Sequence, residues 1–226
     1  MNVRVAVFAS GSGTNLQALL DRCAVDDGAH IALVISDVAD AGALARARHA
    51  GARTAHVPVR DRTAAAVAHD MITLLAEERI ELIALAGYLR LVPAPVIDRF
   101  RGRIINVHPA LLPAFGGPGM YGRHVHDAVI AAGCTVTGAT VHWVDERYDG
   151  GAIIAQWPVP VLPDDDAARL AARVLSVEHR LYPAALAAVA RHMRATVSPA
   201  TAPPDTYRLV DSLDGVDREI AAILRL

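Results

Sequence analysis

Lysine is absent from this 226-residue chain, and all 22 of its basic side chains are arginine. That excludes a Walker-type phosphate loop, which needs a lysine at the phosphates, and any Schiff-base mechanism. Cysteine is nearly absent as well. Cys23 and Cys134 are the only two, which fits a reducing compartment and offers no metal-ligand spacing. No apolar run reaches the ~18 residues of a membrane span. The opening MNVRVAVFAS passes directly into a strand pattern without the cleavage region of a signal peptide. No arginine-rich run stands out and the formal charge is only −2, so neither a nucleic-acid nor a membrane-surface partner is expected. These absences lead us to expect a cytoplasmic globular protein without a bound metal.

At 53% hydrophobic, the chain can build one large core or a domain with a small appendage. Residues 3–10, 30–36, 54–59, 80–86 and 104–107 read as short buried strands. Between them lie helical patterns: 16–23, an Ala/Arg-rich stretch closed by Gly51, 63–78, and a short helix whose first turn suits Pro93 and Pro95. Strands alternating with helices at this spacing predict an α/β fold, a Rossmann-like parallel sheet with helices on both faces. The second half changes character. Residues 135–144 alternate, with Val136, Gly138, Thr140, His142 and Val144 on one side, and 153–161 is a further extended segment that Pro158 and Pro160 mark as an edge. Mixed strands are therefore expected there. Asp164, Asp165 and Asp166 suit a helix N-terminus, followed by an apolar stripe at Leu170, Val174, Val177 and Leu181.

Three short constellations carry chemistry. The turn SGSGTN, residues 10–15, delivers small residues from a strand into a helix start, where backbone N–H groups and the helix dipole favour a phosphate. In NVHP, residues 106–109, Asn106 and His108 alternate and so point the same way, at a strand's carboxyl end where α/β sheets place their crevices. An amide and a protonated imidazole together bind an oxyanion, and Pro109 restricts His108 to extended backbone. The DGG turn at 149–151 puts the Asp149 carboxylate on a loop able to approach His108. Each has an ordinary reading too: a tight connection, a capping amide beside a surface His, a common turn.

Taken in order, SGSGTNLQALL, LAGYLRLV, IINVHPALLPAF and VTGATVHWVDERYDGGAIIAQ resemble the phosphoribosylglycinamide formyltransferases, folate-dependent enzymes of purine synthesis. The resemblance spans residues 2–190 or so, and it implies the formyltransferase fold. It assigns the catalytic trio to Asn106, His108 and Asp149, and the acceptor's phosphate to Gly13, Thr14 and Asn15. The glycinamide-side carboxylate becomes Glu178, within VEHRLYP, and the folate contacts become Leu89, Arg90, Leu91, Val92, Asn106 and Asp145. It implies 10-formyltetrahydrofolate as co-substrate, 5′-phosphoribosylglycinamide as acceptor, no metal, and compatibility with a homodimer.

Residues 1–197 are expected to form the formyltransferase domain, and 198–226 a tail with a short helix and no functional reading. The loop AFGGPGMYGRHVH, 114–126, is longer than in shorter family versions. We expect His124 and His126 to be exposed there, with Met120 and Tyr121 covering the acceptor site or a subunit contact. His142 is expected to be packed rather than catalytic, and Arg62 is a candidate ligand contact. Rival readings are a methionyl-tRNA formyltransferase, which carries a further basic domain, and a formyltetrahydrofolate hydrolase, which carries an N-terminal regulatory one. A start at a strand and a short near-neutral tail lead us to expect neither. A sugar-nucleotide formyltransferase and a non-catalytic folate- or phosphate-binding module complete the alternatives.

Overall fold

The computed structural model describes residues 2–25 and 28–195. A seven-stranded sheet runs through it in the order β3-β2-β1-β4-β5-β6-β7. Strands β1 (Val3–Phe8), β2 (Ala29–Ser36), β3 (Arg53–His56), β4 (Leu82–Leu85) and β5 (Ile104–His108) are parallel. Strands β6 (Val136–Trp143) and β7 (Ile153–Pro160) are added antiparallel on the β5 side. The chain winds outward from β1 to β3, then restarts on the other side of β1 with β4. Loops after β1 and β4 therefore leave in opposite directions and open a crevice at their carboxyl ends.

Alternation along the strands divides the core. Val5, Val7, Leu82, Ala84, Ile105 and Val107 face one side, beneath α1 (Thr14–Cys23), α2 (Gly42–His49), α5 (Arg123–Ala131) and the long α6 (Ala167–Ala195). Ala6, Phe8, Ile83, Leu85 and Ile104 face the other, against α3 (Ala64–Glu77) and α4 (Ala94–Arg99). Helix ends follow local chemistry: Thr63 Oγ1 accepts from the Ala66 N–H at 3.2 Å and caps α3, and Pro93 opens α4. All four residues of the stripe expected on α6 are buried. Asp166 starts that helix, its Oδ1 accepting from the Arg169 N–H at 2.8 Å.

Pro158 and Pro160 lie on β7, at the edge of the sheet as expected. The expectation fails in one element. Residues 123–126, read as the end of a loop, instead open α5 (Arg123–Ala131), and His126 is buried on it at 4% exposure while His124 stays exposed. The helix is defined by Val125 and Val129 turned into the core and by Gly133, at φ 66°, just past its end. The linker and helix expected beyond residue 197 lie outside the described residues. Among the described residues, no helix is long and apolar enough to cross a membrane.

Candidate active site

A cavity of about 490 Å³ opens at the carboxyl ends of β4 and β5 and is closed on one side by α6. Asn15, Asn106, His108, Asp145, Asp149 and Glu178 all line it, and so do Leu89, Arg90, Leu91 and Val92. Sequence positions as far apart as 15 and 178 thus meet in one place. Gly13 and Thr14 do not line the cavity and stand behind Asn15 at the start of α1. Gly13 has φ 76°, and a Cβ on it would lie 2.6 Å from Ala43 Cα, so glycine permits both the turn and the approach of α2. Arg62 is not at the cavity: its Nη2 pairs with Asp70 Oδ2 at 2.8 Å.

Asn106 and His108 point the same way, as alternation predicts, and the antiparallel register sets His142 opposite Asn106. The Asn106 amide donates to His142 Nε2 at 3.2 Å, and His142 Nδ1 donates to the Trp143 carbonyl at 2.8 Å. Burial pushes the His142 pKa down, outweighing the opposing pulls of the Trp143 carbonyl and Asp149. It is therefore a neutral acceptor that orients Asn106. His142 is packed, as expected, at 2% exposure, but it also forms part of the cavity wall.

Asp149 stands between the two imidazoles. Its Oδ2 is 3.6 Å from His108 Nδ1 and its Oδ1 is 3.6 Å from His142 Nε2. The Gly117 N–H donates to the same Oδ2 at 2.8 Å, while His108 Nε2 donates to the Phe115 carbonyl at 2.8 Å. The His108 imidazole and the Asp149 carboxylate are thus neighbours, at a separation too long for a direct hydrogen bond.

On the α6 side, Glu178 is 7% exposed and its Oε2 accepts from the Asn15 amide at 2.6 Å. Burial raises the Glu178 pKa, and the Asn15 hydrogen bond works against that rise. Asn15 Oδ1 is buried without a protein partner, which leaves an acceptor for a ligand N–H or O–H. The opposite wall is apolar: Leu85, Val92 and Ile97 are buried, and Leu89 and Leu91 are exposed beside them. This wall is tied at its rim. Leu89 N–H donates to Ser10 Oγ at 3.0 Å, Arg90 Nε pairs with Asp37 Oδ2 at 2.8 Å, and Tyr88 stacks edge-on against Phe8. Met120 and Tyr121 complete the mouth of the cavity. Among the described residues no group of three or more His, Cys, Asp or Glu is placed to hold a metal ion.

The formyl transferase family model matches residues 3–186. Phosphoribosylglycinamide formyltransferase of Haemophilus influenzae is 40% identical over 182 residues, 80% of this chain and 84% of that protein. The chloroplastic phosphoribosylglycinamide formyltransferase of Vigna unguiculata is 41% identical over 182 residues, 79% of this chain. This chain spans only 58% of the length of that plant relative. Among solved structures, glycinamide ribonucleotide transformylase 1 from Symbiobacterium toebii superposes with a TM-score of 0.81 at 38% identity, covering 93% of this chain and 95% of that one. With the match running from the first strand well into α6, this chain belongs to the formyl transferase family.

Proposed function

We propose that this chain transfers the formyl group of 10-formyltetrahydrofolate to the amine of 5′-phosphoribosylglycinamide. The observation that carries the reading is the convergence of Asn106, His108 and Asp149, from two distant segments, on one cavity wall. The apolar wall of Leu85, Leu89, Leu91, Val92 and Ile97 suits a flat pterin and its aryl extension, with Asp145 and backbone groups at the edge for ring N–H groups. Asn15, at the first turn of α1, suits the phosphorylated acceptor, whose amine is drawn toward Glu178.

The acceptor nitrogen forms a bond to the formyl carbon, and the carbonyl π pair moves onto oxygen. Asn106 and a protonated His108 stabilise that oxyanion, and one such donor typically contributes ~10²–10³ in rate. The oxygen pair then returns and the bond from carbon to the folate nitrogen breaks. The attacking nitrogen gives up one proton and the departing nitrogen takes one. Asp149, facing His108 across 3.6 Å, relays that proton through water. Orientation of the two reactants in one cavity supplies much of the remaining acceleration.

The decisive measurement follows formyl-folate consumption by absorbance with and without the ribonucleotide acceptor. Acceptor-dependent turnover is expected, and formate release without acceptor would point to a hydrolase. A cytoplasmic location is part of the proposal and rests on the free thiols Cys23 and Cys134. Two plant relatives carry the word chloroplastic in their names.

A further inference from the structure

Both halves of the His108–Asp149 pair are held by the backbone of a single tripeptide. The Phe115 carbonyl accepts from His108 Nε2, and two residues on the Gly117 N–H donates to Asp149 Oδ2, each at 2.8 Å. Three further observations set this segment apart from an ordinary loop. Phe115 has φ 55°, a left-handed conformation that a bulky residue adopts only when its surroundings impose it. Its half-buried side chain packs against the hydrophobic core, so it is anchored while the backbone is turned. Gly116 fits into a space that no side chain shares: a Cβ there would lie 2.6 Å from Leu112 Cδ2 and 3.2 Å from Asp149 Cβ.

We infer that residues 115–117 form a backbone clamp that positions the imidazole and the carboxylate for proton handling. The clamp has a chemical consequence for His108. A carbonyl accepts only from a nitrogen that carries hydrogen, so Phe115 commits the Nε2 proton and leaves Nδ1 as the ring atom facing Asp149 and the cavity. Neutral His108 is thus the Nε2–H tautomer, and it donates toward the reacting oxygen only through Nδ1 of the imidazolium. On the other side, the Gly117 amide restrains one carboxylate oxygen, which keeps Asp149 facing the ring at 3.6 Å. Phe115, Gly116 and Gly117 are positioning residues, acting through His108 and Asp149.

This inference rests on the reading of His108 and Asp149 as the proton-handling pair, and the test separates the two. The ring ¹⁵N spectrum of His108 in the unliganded protein reads the tautomer without any turnover, and the Nε2–H form is expected. Gly116→Ala, which pushes the segment off Leu112 and Asp149, is expected to lower kcat at least about tenfold with both KM values little changed, since misplacement by an ångström is enough for such a loss. It is also expected to shift the His108 nitrogen signals. Phe115→Gly frees the carbonyl without adding bulk and is expected to do the same, so the inference stays testable if Gly116→Ala does not fold. Pro118→Ala, exposed on the same loop and outside the cavity wall, is expected to leave kcat and spectrum alone. An Nδ1–H tautomer in the parent protein, an unchanged kcat, or a loss confined to KM overturns the clamp. A parent protein with no formyl transfer at all overturns the functional reading instead, whatever its tautomer.

Discussion

The parallel and antiparallel parts of the sheet meet at β5 and contribute different things to the cavity. From the parallel part come a helix start carrying Asn15 and the apolar wall of residues 89–92. On the proposed function these are binding features, made by strand ends and a helix terminus. From the antiparallel part come His142 on β6 and Asp149 in the loop before β7. In the proposed reaction, Asp149 handles a proton and His142 orients the Asn106 amide. Asn106 and His108 lie on β5, the strand that pairs with each part. On the proposed function, the doubly wound part seats the two reactants and the added hairpin completes the groups that let them react.

Substitutions that separate binding from chemistry test this division, and the largest effect is expected in the antiparallel part. Asp149→Asn should lower kcat by ~10²–10⁴, the range of general acid–base contributions, while both KM values stay close to the parent. A loss expressed mainly in KM would merge the two parts into one binding surface. Asn106→Ala, at the boundary, should cost ~10²–10³ in kcat. Steady-state kinetics check both.

The same division applies to stability. Thr140 Oγ1 donates to the Ala110 carbonyl at 2.6 Å and accepts from Leu112 N–H and Gln156 Nε2, each at 3.0 Å, so it ties β6 to the segment beyond His108. Thr140→Val leaves buried partners unsatisfied and should lower unfolding free energy by ~1–3 kcal/mol in a urea titration. In the parallel part, Asn15→Ala should raise KM for the phosphorylated acceptor roughly tenfold with a smaller change in kcat, as loss of one charge-assisted contact predicts. Equal loss in kcat would mean that Asn15 acts on the reaction itself.

The smallest expected effect concerns how β7 is attached to α6. Arg173 holds Asp165 in a two-pronged pair, Nη1 to Oδ2 at 2.6 Å and Nη2 to Oδ1 at 2.8 Å. That pair, helped by the Leu162 N–H, brings the Asp165 pKa down to about 2. A carboxylate depressed on folding stabilises at pH above its unfolded value of about 4, and the contribution is lost as pH falls toward the folded value. Arg173→Ala should therefore remove a modest part of the acid sensitivity between about pH 4 and pH 2 in thermal melts, and leave neutral-pH catalysis alone.

What the sequence revealed follows the same boundary. Strands β1, β2, β4 and β5 are short apolar runs between turn residues, so their periodicity is plain. Asn106 and His108 were legible because alternation alone puts them on one side, and Asp149 because a DGG turn stands out after a strand. Helix α5 was hidden by the glycines before it: its N-cap is Gly122, with no side-chain cap to announce a start. The contact of His142 with Asn106 depends on the β5–β6 register, which an alternating pattern leaves open by steps of two. The Gly117 amide and Phe115 carbonyl were invisible because backbone groups carry no residue signature.

Tyr182, wholly buried on α6, adds one mechanical consequence. Its hydroxyl lies 2.9 Å from the Leu85 carbonyl and 3.2 Å from the Ile105 carbonyl, sharing one proton between neighbouring strands. One helical turn earlier the same helix carries Glu178. The carboxylate, the end of β4 and the approach to Asn106 are thereby pinned to a common rigid frame. On the proposed function, the passage of reactants then falls to the rim segment carrying Gly117, Gly119 and Gly122, while the spacing between the two ligand seats stays fixed like that of jaws cast in one piece.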